Sequence, residues 1–173
     1  MNKVSAVCTG TALVAVLGFM QMEIEMVHED VQEIKSFVVQ TNQRVNYSQE
    51  DLQCLSKNIY HEAGIESPEG MFAVAQVTLN RLRDGRWGKS ICKVVYSPAQ
   101  FSWTLNKKVR AEKPRGPLWD KSQEVAKNVL ERGYRVPDLE NAILYHADYV
   151  KPYWSKTVVK IQQIGQHIFY KTS

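Results

Sequence analysis

Gly64 and the Ser67-Pro68 pair interrupt one apolar periodicity and start another, so this stretch must fold as two helices joined at a tight corner. Upstream, Ser48 with Asp51 three residues on is a capping-box-like start. Leu52, Leu55, Ile59 and Ala63 then recur on one face of a helix predicted over residues 49–63, with Gly64 as its stop. Downstream, Ser67 is the expected N-cap and Pro68 the first helical residue. Phe72, Ala73, Ala75, Gln76, Leu79 and Leu82 carry this second helix to Asp84-Gly85. The corner holds Glu62, within Asn58-Ile59-Tyr60-His61-Glu62-Ala63-Gly64-Ile65-Glu66. A carboxyl group partly desolvated by such aromatic and apolar neighbours has a raised pKa, as a general acid near neutral pH requires. The plainer reading is a solvated glutamate in a last helical turn.

The 173 residues suffice for one domain plus an appendage, and with 44% hydrophobic and 23% charged residues a real core is attainable. The net charge of +4 suits a polyanionic surface such as a bacterial wall. There is no Lys/Arg run, phosphate loop or zinc-finger spacing, so no nucleic-acid partner is expected, and no cofactor.

The N-terminal region reads differently. Residues 4–22 are uncharged and close to the ~20 residues that span a bilayer, though diluted by polar positions. Lys3 before this stretch gives it the form of a signal peptide or uncleaved signal anchor, and the absence of a small-residue cleavage site favours the anchor. A buried core helix is the competing reading. Ile24, Val27, Val31, Ile34 and Val38 then alternate spacings of three and four, an amphipathic helical spacer within residues 23–46, with 41–46 a polar linker. Cys8 falls in the apolar segment. Cys54 and Cys92 remain as an even pair, either a disulfide in an oxidising compartment or two buried thiols.

From residue 47 to 173 the chain reads as one domain. Residues 85–113 look like a loop region with a short apolar run near 91–96. A third helix is predicted over 119–132, ended by Gly133. Residues 142–146, 158–163 and 167–170 are strand-like, the last two joined at Ile164-Gly165-Gln166. The expected class is α+β, mainly helical with a small C-terminal β portion, preceded by the anchor and amphipathic helix.

Five blocks in order resemble one family. They are Tyr60-His61-Glu62-Ala63, Glu66-Ser67-Pro68-Glu69-Gly70, Ala73-Val74-Ala75 with Asn80-Arg81, Gln100-Phe101-Ser102-Trp103, and Ile164-Gly165-Gln166-His167-Ile168-Phe169-Tyr170. Together, over about residues 54–170, they resemble the bacterial cell-wall hydrolases of the spore-cortex-lytic type (SleB/CwlJ type). The resemblance implies a lysozyme-like fold and cleavage of the peptidoglycan glycan, generally as a lytic transglycosylase, with the catalytic glutamate at Glu62. His61 and Gly64-Ile65 depart from the family pattern and bear on fine substrate preference. For the sugar, Gln100, Ser102, Tyr145 and His146 are hydrogen-bonding candidates and Phe101 and Trp103 stacking candidates, although aromatic residues at this density are as readily core. Asn80 reads as structural.

One carboxylate suffices for this chemistry. A glycoside hydrolase commonly needs two, whereas a lytic transglycosylase borrows the sugar's own 6-hydroxyl as nucleophile. Glu66 and Glu69 are the second carboxylates if hydrolysis is the outcome, but they read better as first-turn helix charges. A zinc peptidase is disfavoured because Ile65 stands where the helical metal motif needs a second histidine. A Cys-dependent amidase or peptidase using Cys54 or Cys92, and a non-catalytic membrane-tethered wall-binding protein, are the remaining rivals. A phage signal-anchor endolysin and a bacterial envelope enzyme would both present this layout, and a monomer is expected.

Overall fold

In the computed structural model residues 10–41 and 45–173 are described, and the chain divides into two compact units, residues 1–36 and 37–173. The first unit holds most of helix α1 (Gly10–Phe37). α1 runs unbroken through the expected boundary at residue 22, because no proline interrupts residues 19–26. Val16, Phe19, Met20, Ile24 and Val27 are all exposed along it. Among the described residues no helix is long and apolar enough to cross a membrane, so the membrane anchor expected at 4–22 finds no support there. Residues 4–9 of that segment, Cys8 included, lie outside the described residues, as do residues 42–44 of the expected linker.

The second unit begins with an unexpected strand. β1 (Val39–Gln40) pairs antiparallel with β2 (Tyr134–Arg135), and the Thr41 amide donates to the Gly133 carbonyl at 3.0 Å. The partner of this short segment lies far down the chain, which is why local patterning reads it as a spacer.

Helix α2 (Gln49–Ala63) carries the expected capping box: the Asp51 amide donates to Ser48 Oγ at 3.1 Å, and the Ser48 amide to Asp51 Oδ2 at 3.3 Å. Its end differs from expectation. Gly64 is right-handed, at φ −60°, so it does not stop the helix by a left-handed cap. It is required there because a Cβ would be driven against the Tyr60 carbonyl. Helix α3 (Pro68–Asp84) follows with Ser67 as N-cap, and Gly85 ends it at φ 80° in the left-handed region. α3 is buried on every side from Gly70 to Arg81, and forms the spine of the domain.

The expected loop at 85–113 contains two short helices, α4 (Ile91–Val95) and α5 (Lys107–Ala111), with a 3₁₀ turn at Ser102–Leu105 between them. Five-residue helices leave no readable periodicity and hold only through capping and packing. Ser90 and Asn106 cap them. Cys54 on α2 and Cys92 on α4 form a disulfide, and the Cys92 amide donates to Asp51 Oδ1 at 3.0 Å.

Helix α6 (Pro117–Glu131) packs on α2 and α3. The chain then makes β3 (Leu144–Ala147), β4 (Val159–Ile164) and β5 (His167–Lys171), an antiparallel sheet of order β3-β5-β4. Tyr145 stands opposite Phe169 and Ala147 opposite His167. The result is α+β, mainly helical with a small C-terminal sheet.

Candidate active site

The last turn of α2 and the start of β3 bring Glu62 and Tyr145 together. The Tyr145 hydroxyl donates to Glu62 Oε2 at 2.9 Å. Burial pushes the Glu62 carboxyl up from its usual range, while the Tyr145 hydrogen bond and the Arg81 charge pull it part of the way back. Burial and the adjacent Glu62 charge hold the Tyr145 phenol well above its ordinary value, so it stays a neutral donor. The site thus has a carboxyl that keeps its proton more readily than usual and a donor and a cation that stabilise it once the proton is gone.

Arg81 supplies that cation from α3. It is 4% exposed, and its Nε donates to the Ile143 carbonyl at 2.8 Å. Its guanidinium lies 4.9 Å from the centre of the Phe101 ring and 5.7 Å from that of Trp87. Burial lowers its pKa, and Tyr145 and Glu62 oppose that shift. In the sequence Arg81 belongs to the family-like Asn80-Arg81 block, with no site role attached to it. The available signal was a charged residue on an otherwise apolar helix face.

Phe101 is 2% exposed, with Arg81 on its face, and Trp103 is 8% exposed. Trp103 stacks on His61 at 4.5 Å and donates from Nε1 to Asn58 Oδ1 at 3.0 Å. Both rings proposed for sugar stacking are therefore occupied as walls behind the site. His61 is lowered in pKa, mainly by burial. Gln100 donates to the Pro98 carbonyl at 3.3 Å, and Ser102 is exposed at the head of the 3₁₀ turn. Asn80 is structural as expected, its Nδ2 donating to the carbonyls of Leu139 at 2.7 Å and Ala142 at 2.8 Å.

Tyr145 and His146 part company. Successive strand residues point to opposite faces, and His146 stacks on Tyr170 with its Nε2 2.9 Å from the Tyr170 hydroxyl. Among the described residues, neither Gln100, Ser102 nor His146 hydrogen-bonds Glu62.

Glu66 also differs from its first-turn reading. It precedes the Ser67 cap, and its largely buried side chain reaches the β4–β5 turn. There the Gln166 amide donates to Glu66 Oε2 at 3.4 Å, and His167 Nδ1 lies 3.9 Å from Oε1. Gly165, at φ 54°, leaves room for this carboxylate, which a Cβ would strike. His167 is held below its usual pKa by burial, opposed by Glu66 and Asp148. Among the described residues no three His, Cys, Asp or Glu side chains converge as a metal site. A cavity of about 550 Å³ bordered by Asn80, Asp84, Ile143 and Lys171 touches neither Glu62 nor Tyr145.

The model of the Cell Wall Hydrolase family matches residues 65–170, beginning just after Glu62. The spore cortex-lytic enzyme of Oceanobacillus iheyensis is 31% identical over 127 residues, 72% of this chain and 43% of that protein. The spore cortex-lytic enzyme of Bacillus cereus is 30% identical over 133 residues, 76% of this chain and 48% of that protein. The chain therefore spans less than half the length of these curated relatives. Among solved structures, the catalytic domain of the Bacillus cereus SleB protein superimposes with a TM-score of 0.62 at 27% identity, covering 77% of this chain and 98% of that one. The catalytic domain of the germination-specific lytic transglycosylase SleB from Bacillus anthracis gives 0.61 at 26% identity, covering 76% and 99%.

Proposed function

Because the chain belongs to the Cell Wall Hydrolase family, we propose that its domain of residues 47–173 cleaves the MurNAc–GlcNAc bond of peptidoglycan as a lytic transglycosylase. Glu62 protonates the glycosidic oxygen as that bond breaks. The muramic C1, now oxocarbenium-like, is attacked by the same sugar's O6. The Glu62 carboxylate accepts the O6 proton, which closes a 1,6-anhydro ring and restores the acid with no water consumed. Tyr145 and Arg81 stabilise the carboxylate between the two proton transfers.

The observation that carries this reading is the Glu62 carboxyl itself, raised in pKa by burial and held by Tyr145. Glu66, the nearest second carboxylate in sequence, faces the backbone of the β4–β5 turn. On this reading the cycle runs on one acid, as transglycosylation allows and two-carboxylate hydrolysis does not. Cys54 and Cys92, joined in a disulfide, offer no thiolate for a cysteine mechanism. Gln100 and Ser102 are the polar groups assigned to the sugar. On this reading the domain works as a monomer on the wall side of the cytoplasmic membrane, with residues 4–22 serving for export or attachment.

Mass spectrometry of fragments released from purified sacculi tests the proposal. Anhydro-muropeptides are expected. Reducing muramic ends would identify a hydrolase, and new free amines a peptidase. Full activity in a Glu62→Gln variant would remove the site assignment.

A further inference from the structure

We propose that the loop of residues 148–157 is a second contact surface for polymeric peptidoglycan, gripping glycan rings with Tyr149 and Tyr153 and acidic stem peptides with Lys151 and Lys156. The proposal rests on the glycan-cleaving reading and extends it to how the insoluble substrate is held.

The loop is built to be firm. It leaves β3 beside the β4–β5 turn, where the Asp148 amide donates to the Gln166 carbonyl at 2.8 Å and Gln163 Nε2 to Asp148 Oδ2 at 3.2 Å. A turn closes from the Val150 amide to the Ala147 carbonyl at 2.9 Å, and another from the Ser155 amide to the Pro152 carbonyl at 3.1 Å. Trp154 anchors the far end, edge-on to His146 at 5.5 Å and to Tyr170 at 5.6 Å. One aromatic residue of the loop is thus spent on packing.

The other two are not. Tyr149 is 79% exposed and Tyr153 83%. Two large rings left in water on a tethered loop mark an interaction surface rather than a packing remnant. A tyrosine ring presents an apolar face that fits the C–H face of a pyranose, and a hydroxyl that fits its rim. Lys156 Nζ stands 5.9 Å over the Tyr153 ring, and Lys151 is exposed between the two tyrosines. Neither lysine forms an ion pair among the described residues. Lysines set among exposed rings complement a strand that carries sugar rings and carboxylates together, and a neutral polysaccharide would have no use for them.

The loop is also close to the site along the chain. Three residues lie between Tyr145 and Tyr149, and the four chain steps span at most ~14 Å. A glycan strand with its scissile bond at Glu62 reaches the loop within a few sugar rings, so long substrates touch it and short ones do not.

The test uses the full chain carrying Glu62→Gln, so that binding is read without cleavage. Retention on purified sacculi is compared with and without Tyr149→Ala plus Tyr153→Ala. The expected result is about tenfold weaker binding, restored by the paired Tyr→Phe changes, which keep the rings. Lys151→Gln with Lys156→Gln is expected to flatten the salt dependence of retention. In the otherwise unaltered chain, the Tyr→Ala pair is expected to slow release from sacculi but not cleavage of short soluble glycan fragments. Unchanged retention would overturn the proposal. So would an equal loss on short and polymeric substrates, or a dimer of the parent chain that the Tyr→Ala pair dissociates. A Glu62→Gln protein that still cleaved would remove the assignment of Glu62 rather than this proposal, which the comparison of sacculi with short soluble fragments would then decide.

Discussion

Tyr145 donates a hydrogen bond to Glu62 Oε2 at 2.9 Å, tying the first strand of the C-terminal sheet to the last turn of α2 across a sequence separation of 83 residues. The bond favours the carboxylate, whereas burial favours the neutral acid. On the proposed mechanism, the balance between the two sets the protonation state from which cleavage starts.

Replacing Tyr145 by phenylalanine removes the half of that balance favouring the charge. Glu62 then keeps its proton to higher pH, so the alkaline limb of the pH–rate profile is expected to move up. Turnover should fall about tenfold, because the carboxylate that must form loses a charge-assisted hydrogen bond worth ~1.5–3 kcal/mol. A pH–rate series on sacculi, parent against variant, reads both effects. An alkaline limb that stayed in place would contradict the role given to the hydroxyl.

Glu62 also links stability to pH. Its folded pKa is raised above the unfolded value of ~4.3. Its contribution is therefore fully present below the unfolded pKa and declines as pH rises through the folded pKa. Glutamine at this position has no charge to bury. Glu62→Gln is expected to match the parent near the acid end of this window and to exceed it at neutral pH by ~1 kcal/mol, within the usual range for relieving a functional strain. Urea unfolding at a series of pH values checks this.

Arg81 separates charge from geometry. Arg81→Met removes the cation near Glu62 and leaves the Ile143 carbonyl without its Nε donor. The alkaline limb should move up, and stability should fall by ~2 kcal/mol for an unpaired buried acceptor and lost ring contacts. Arg81→Lys keeps the charge without the planar fork, so it should lose stability while the limb moves little. Identical pH profiles for parent and Arg81→Met would exclude an electrostatic role.

The disulfide predicts a different pattern. Cys54 and Cys92 are 38 residues apart, and in the chain-entropy model opening such a loop costs about 4 kcal/mol of stability. Cys54→Ser with Cys92→Ser should lower the urea midpoint accordingly and leave sacculus clearing at low temperature nearly unchanged. Loss of clearing in protein shown to be folded would revive a cysteine mechanism.

The caps at Ser48–Asp51 and Ser67–Pro68 were legible in the sequence because their partners lie within one helical turn. So were the β4–β5 hairpin, its apolar runs meeting at a glycine, and the apolar stripes of α2 and α3. α4 and α5 were not, since five residues give no period to read. The β1–β2 pair escaped for the opposite reason, its two halves lying almost a hundred residues apart.

The site divides along the same line. The sequence by itself determined that a glutamate stands at a helix corner among aromatic neighbours, and which order of blocks surrounds it. Only the tertiary structure decided what faces that glutamate. Tyr145 and His146 are neighbours in the chain, and pairing of β3 with β5 turned one toward Glu62 and the other toward Tyr170. Phe101 and Trp103 became walls because Arg81 and His61 covered their faces. The physical reason is common to both: helix and turn preferences are satisfied within a few residues, whereas the desolvation and hydrogen bonding that set the chemistry of Glu62 depend on groups brought in from distant segments.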